Sequence, residues 1–91
     1  MTMTWDRWEA MRAQLDYCLL RMGELERAGT VDRAEFEALV AHGLQTAARL
    51  LHLPDAPPLS NAKVREQWQT GCASVRQTRE KIVEASRALQ D

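Results

Sequence analysis

Six apolar side chains near the N-terminus keep an unbroken helical spacing, and this pattern constrains the fold of the 91-residue chain more than any other feature. They are Trp8, Met11, Leu15, Cys18, Met22 and Leu25. Alternating steps of three and four residues place all six on one helix face, at the a and d positions of a heptad repeat. Thr4 can cap this helix and Gly29 can end it, so we predict a helix over residues 4–28.

A capping sequence predicts where the second helix begins. Asp32 takes the N-cap position and Glu35 follows three residues later, which is the spacing of a capping box. Pro54 disfavours helical geometry at the residue before it. We therefore predict a second helix over residues 33–52.

The third predicted helix is the longest, over residues 61–89, with Ser60 or Asn61 as its cap. Large apolar side chains recur in it every seven residues, at Trp68, Val75, Ile82 and Leu89. The complementary heptad position holds mostly small residues, at Val64, Gly71, Thr78 and Ala85. Small residues at this spacing let a neighbouring helix approach closely.

The connections predict how the three helices are arranged. A short turn after Gly29 makes the first two helices antiparallel, and residues 53–59, which hold all three prolines, form a stiff extended connector that reverses the chain again. We expect one all-α domain over residues 1–91: a three-helix up-down-up antiparallel bundle with coiled-coil-like heptad packing and a long C-terminal helix. Its tryptophans would gather at one end.

Charge and hydropathy favour a cytoplasmic protein that binds neither nucleic acid nor membrane. Twelve basic and thirteen acidic residues give a formal net charge of −1, without the cationic surplus that nucleic acid or an anionic membrane attracts. No apolar run approaches the roughly 20 residues that span a bilayer, and no signal-peptide pattern opens the chain. Cys18 and Cys72 fall on apolar helix faces, so we expect buried, unbridged thiols.

The residue types that carry catalysis are scattered along the sequence. His42 and His52 are ten residues apart, whereas a zinc site needs three or four convergent donors. Ser60, Ser74 and Ser86 lack the glycine-framed turn of a nucleophilic serine. We expect no enzyme, no metal, no cofactor and no small-molecule substrate.

A local resemblance concerns residues 41–51. His42, Leu44, Ala47 and Leu50 match the phosphorylation motif of histidine phosphotransfer domains, which this stretch resembles. Gln45 and Thr46 stand where that family has lysine and glycine. The resemblance implies a helical bundle in which His42, on an exposed helix face, accepts a phosphoryl group.

A broader resemblance covers nearly the whole chain. The succession of a heptad helix, a turn over residues 28–32, a helix with Phe36, Leu39 and Val40, and a long C-terminal helix is similar to bacterial flagellar and type III export chaperones. The resemblance implies that an apolar groove binds a terminal helix of an exported subunit. The C-terminal helix would carry the partner-binding face.

We therefore predict a non-enzymatic helical module that binds another protein or a second copy of itself, as an export chaperone or an inhibitor-type adaptor. The second helix is shorter than the third, so the stripe of the third helix is expected to remain partly uncovered for a partner. Tryptophan is enriched at interface hot spots, so the partner-binding set also includes the N-terminal indoles. The full set is Trp68, Val75, Ile82, Leu89, Trp5 and Trp8. The alternative is a phosphotransfer-like signalling protein with His42 as the phosphoacceptor.

Overall fold

The computed structural model describes residues 3–29 and 32–90. Within these residues the chain forms a helical bundle of three α-helices: α1 over Trp5–Arg27, α2 over Arg33–Leu50 and α3 over Ala62–Gln90. A short 3-10 helix over Leu53–Asp55 lies between α2 and α3, and the described residues contain no strand. The all-helical prediction is confirmed. None of the described helices is both long and apolar enough to cross a membrane.

The helices begin at the caps that the sequence suggests. The side chains of Thr4, Asp32 and Asn61 each accept a hydrogen bond from the backbone N–H three residues later, at 3.1, 3.2 and 3.0 Å. These bonds satisfy amides that have no partner within the helix. Asn61 rather than Ser60 is therefore the cap of α3. Gly29 follows α1 with a φ of +75°, a conformation that glycine adopts without steric cost.

The segment after α2 differs from the extended connector expected over residues 53–59. The helix ends at Leu50, two residues before His52, and the chain then makes the 3-10 turn, after which Ala56 has extended backbone. Pro54 is accommodated because the first turn of a helix needs no N–H from it. The His52 Nδ1 and Asp55 Oδ2 atoms lie 2.9 Å apart across this turn.

Contacts between helix ends show which parts of the chain meet. The Trp8 indole N–H donates to the Leu50 carbonyl at 3.2 Å, which brings the start of α1 to the end of α2. The Arg21 Nε donates to Glu35 Oε1 at 3.0 Å, near the other end of both helices. Arg33, at the start of α2, donates to a carbonyl in the last turn of α3 at 3.5 Å.

Apolar stripes from all three helices form the core. The buried apolar residues are Met3, Trp8, Leu15, Cys18, Met22, Leu25, Phe36, Ala47, Leu50, Trp68, Cys72, Val75 and Ile82. Five of the six residues of the α1 heptad stripe are among them, and the sixth, Met11, packs against the core while partly exposed. This interior explains the helical arrangement, because each helix buries the face that its periodicity made apolar.

Candidate functional site

The α3 stripe predicted to bind a partner lies mostly inside the monomer. Trp68, Val75 and Ile82 expose 8%, 1% and 0% of their surface, and only Leu89 is half-buried. The expectation of an uncovered stripe is therefore wrong for the first three residues. That expectation compared the length of α3 with α2 alone, whereas α1 also packs against α3: the Trp8 and Trp68 rings lie 5.3 Å apart.

The tryptophans cluster at one end as expected, but as part of the core. The Trp5 and Trp8 ring centroids are 6.0 Å apart, in an edge-to-face arrangement. The indole N–H of Trp8 donates to the Leu50 carbonyl, and the indole N–H of Trp5 donates to the Pro58 carbonyl at 3.1 Å. Trp8 is 1% exposed, so of the two N-terminal indoles only the half-buried Trp5 is reachable from outside.

Leu89 opens onto an apolar groove between α2 and α3, of about 320 Å³. Its apolar lining consists of Phe36, Val40, Ala41, Leu44 and Leu89. Arg33, Glu37 and Ser86 supply the polar part of the lining. We call this cavity the α2–α3 groove. Val40 and Leu44, which line this groove from α2, remain half-exposed.

A second apolar surface was missed by the sequence analysis. Tyr17 and Leu20 expose 61% and 57% of their surface on the outer side of α1, next to exposed Ala10 and Ala13. These four residues, the α1 outer strip, are spaced by three, four and three residues. That spacing is typical of one face of a helix, and it was the sequence signal that could have revealed the strip. It was overlooked because the stronger stripe of the same helix accounted for its amphipathicity.

His42 lies in a groove between α1 and α2, of about 500 Å³, which we call the α1–α2 groove. Its lining residues are Arg7, Ala10, Met11, Gln14, His42, Gln45, Thr46 and Arg49. His42 is exposed, as its place on the helix predicted. Arg7 comes from α1 and Arg49 from α2, and no carboxylate lines the cavity. His42 thus shares its groove with two arginines. Arg49 belongs to the same helix as His42, but the sequence around His42 gives no indication of Arg7.

The two cysteines are buried and unbridged, which confirms the expectation for Cys18 and Cys72. Burial raises the pKa of both thiols, because an apolar surrounding disfavours the thiolate. The charge of Arg76 opposes that effect at Cys72. Thiols of this kind are poor nucleophiles at neutral pH. In the part of the chain that the structure describes, no three His, Cys, Asp or Glu side chains converge as a metal site.

Comparisons of the chain with models of protein families, with curated proteins and with solved structures found no match. Function is therefore inferred from the two grooves and the α1 outer strip.

Proposed function

We propose that this chain is a non-enzymatic helical module that binds an amphipathic helix of another protein in the α2–α3 groove. The observation that carries the proposal is the apolar lining of that groove, where Val40, Leu44 and Leu89 keep part of their surface accessible. A volume of about 320 Å³ holds one or two large side chains. Helix-in-groove recognition inserts apolar residues spaced by three and four positions into such a cavity.

The proposal includes an up-down-up antiparallel arrangement with heptad packing. It is supported by the bond from Trp8 to the Leu50 carbonyl, which pairs the first turn of α1 with the end of α2. The bond from Arg33 to the Leu89 carbonyl pairs the start of α2 with the end of α3. With this topology the α2–α3 groove runs from the end of the bundle opposite the tryptophans, so a partner helix can occupy it without disturbing that cluster.

The partner-binding residues are revised accordingly. Of the set predicted from the sequence, Leu89 keeps its role and is joined by Val40 and Leu44. The charged residues of the groove, Arg33 and Glu37, have opposite signs, which favours a partner helix with an acidic and a basic residue beside its apolar face. Both an export chaperone and an inhibitor-type adaptor would use such a groove to bind a helix of the partner protein.

Capture experiments with surface variants test the proposal. We expect Leu89→Glu to lose a protein partner that the wild type retains, because a carboxylate in the groove opposes apolar docking. Leu53→Glu is the matched control, since Leu53 is 62% exposed and lies outside the groove. Quantitative mass spectrometry of the captured proteins, with thermal unfolding to check each variant, gives the answer. A partner lost from Leu20→Glu but kept by Leu89→Glu would assign binding to the α1 outer strip instead and contradict the proposal.

The alternative function is phosphotransfer through His42. The observation in its favour is the exposure of His42 in one groove with Arg7 and Arg49, cations that can stabilise a phosphoryl group. If His42 accepts a phosphoryl group, the purified protein gains an acid-labile phosphate from a phosphorylated receiver domain. His42→Gln would abolish labelling and His52→Gln would not. We expect no labelling, because Gln45 replaces the lysine of the family pattern, and a labelled wild type would overturn that expectation.

A further inference from the structure

Thr46 has an unused hydroxyl at the inner side of the α1–α2 groove. The residue is only 7% exposed, lines the groove, and makes no side-chain hydrogen bond with any residue that the structure describes. A threonine hydroxyl in a helix commonly donates to the carbonyl four residues earlier, as Thr78 does to the Ser74 carbonyl at 3.1 Å. Every fully enclosed polar side-chain atom among the described residues has a partner. The Thr46 hydroxyl therefore keeps some accessible surface, and Thr46 is one of the residues that line the groove.

The cationic side chains around this hydroxyl are also free of carboxylates. Within the described residues neither Arg7 nor Arg49 makes an ion pair, whereas Arg21 bonds both Glu24 and Glu35, at 3.2 and 3.0 Å. The residues that line the groove thus include two arginines and no carboxylate, although the whole chain has a formal net charge of −1. Local charge of one sign in a concave site attracts ions of the other sign.

The neutral lining of the groove is suited to an anion as well. Gln14 on α1 and Gln45 on α2 carry amide groups that can donate hydrogen bonds. Met11 and Ala10 supply apolar surface beside them. The volume of about 500 Å³ greatly exceeds the roughly 30 Å³ that one water occupies in the liquid. The groove therefore has room for an oxyanion and for the molecule that carries it.

We propose that the α1–α2 groove binds the phosphate group of a phosphate monoester. Arg7 and Arg49 donate charge-assisted hydrogen bonds to the phosphate oxygens, and the Thr46 hydroxyl donates one from the inner side. Arginine is suited to this role because its planar guanidinium presents paired donors to an oxyanion. Binding is non-covalent and does not need His42 as a nucleophile, and the site is separate from the α2–α3 groove.

Nuclear magnetic resonance titration with inorganic phosphate, at constant ionic strength, tests the site directly. We expect saturable shifts of amide signals around the groove. Arg7→Gln and Arg49→Gln should each weaken binding about tenfold or more, the usual size of a lost hydrogen bond to a charged group. The matched control is Arg76→Gln, which removes the same charge from α3, outside the groove. It should leave binding unchanged.

A second pair of variants examines the hydroxyl. Thr46→Val keeps the shape of the side chain and should weaken phosphate binding about threefold to tenfold. Its thermal stability should stay close to that of the wild type, because the hydroxyl makes no bond with the described part of the protein. Thr78→Val makes the same chemical change on α3 and should leave phosphate binding intact. Unchanged binding by Thr46→Val would remove the hydroxyl from the site and overturn the proposal.

The titration is repeated with a phosphoserine peptide and its unphosphorylated counterpart. Tighter binding of the phosphopeptide than of inorganic phosphate would mean that the phosphate arrives on a protein, whereas equal binding would mean that free phosphate suffices. Absence of saturable shifts with both probes, or equal weakening by Arg76→Gln and Arg49→Gln, would overturn the proposal. Neither result would affect the Leu89→Glu capture experiment.

Discussion

Two glycines of the bundle, Gly71 and Gly43, make room for large side chains from other helices. A Cβ at Gly71 would lie 2.6 Å from Cη2 of Trp8, and one at Gly43 would lie 2.9 Å from Cδ1 of Ile82. Trp8 cannot easily move aside, since its indole is hydrogen-bonded to Leu50 and its ring is packed against two other tryptophans. These positions therefore set how closely the helices approach.

Gly71→Ala should destabilise the protein despite the better helix propensity of alanine. Propensity gains about 1 kcal/mol and overpacking costs about 1–3 kcal/mol, so we expect a net loss of about 1 kcal/mol. Gly23→Ala is the control, because its Cβ would meet only the flexible end of Arg27, at 3.4 Å. That variant should gain up to about 1 kcal/mol. Urea denaturation measures both, and a stabilised Gly71→Ala would disprove the tight contact.

The raised pKa values of Cys18 and Cys72 predict a loss of stability at alkaline pH. A thiol whose pKa is higher in the folded state keeps its proton there while the unfolded chain loses it. Its contribution is complete below the ordinary pKa of a thiol and declines as the pH rises through the higher pKa of the folded state. Thermal unfolding between neutral and alkaline pH should show a steeper decline for the wild type than for the Cys18→Ala/Cys72→Ala variant. Parallel declines would contradict the assignment.

At the scale of elements, local patterns predicted the helices better than the surfaces between them. The caps at Thr4 and Asp32 were readable because they depend on residues three positions apart. The 3-10 turn at Leu53–Asp55 could not be predicted from the sequence, since a proline is compatible with an extended chain and with a first helical turn alike. Arg7 and Arg49 line one groove although they belong to different helices, and no sequence spacing predicts that they do so.

The α3 stripe should behave as core in stability measurements. Ile82→Ala should cost about 3 kcal/mol, because the residue is fully buried and its removal leaves a cavity. Leu20→Ala on the exposed side of α1 should cost less than about 0.5 kcal/mol. Equilibrium urea denaturation compares the two. Similar small losses would mean that the stripe is not enclosed within one chain.

At the scale of the whole molecule, the connector between α2 and α3 packs against the N-terminal part of α1. The 29 residues of α3 and the 18 of α2 differ in length by about 16 Å. The Arg33 guanidinium donates to the Leu89 carbonyl at 3.5 Å, so the start of α2 lies near the last turn of α3. Pro57 is fully buried in the connector, and Pro58 accepts the indole bond of Trp5.

Tryptophan substitutions should separate the indole bonds of Trp5 and Trp8. Trp5→Phe removes the partly exposed bond to Pro58 and should cost about 1 kcal/mol. Trp8→Phe removes a buried bond and also leaves space in the core, so we expect a loss of about 2–4 kcal/mol. Denaturant titrations followed by circular dichroism measure both. An equal cost would contradict the enclosed position of the Trp8 ring in the core.

The tryptophan cluster also determines which part of the protein can be followed by its tryptophan fluorescence. All three indoles of the chain lie against one another, with neighbouring ring centroids 5.3 and 6.0 Å apart. Excitation energy is shared among rings so close, and their combined emission senses the polarity of a single end of the bundle. The first turns of α2 and the last turn of α3 contain no fluorophore of this kind. Intrinsic fluorescence will therefore follow the opening of the tryptophan end, while a helix that docks beside Leu89 will need a label of its own to be seen.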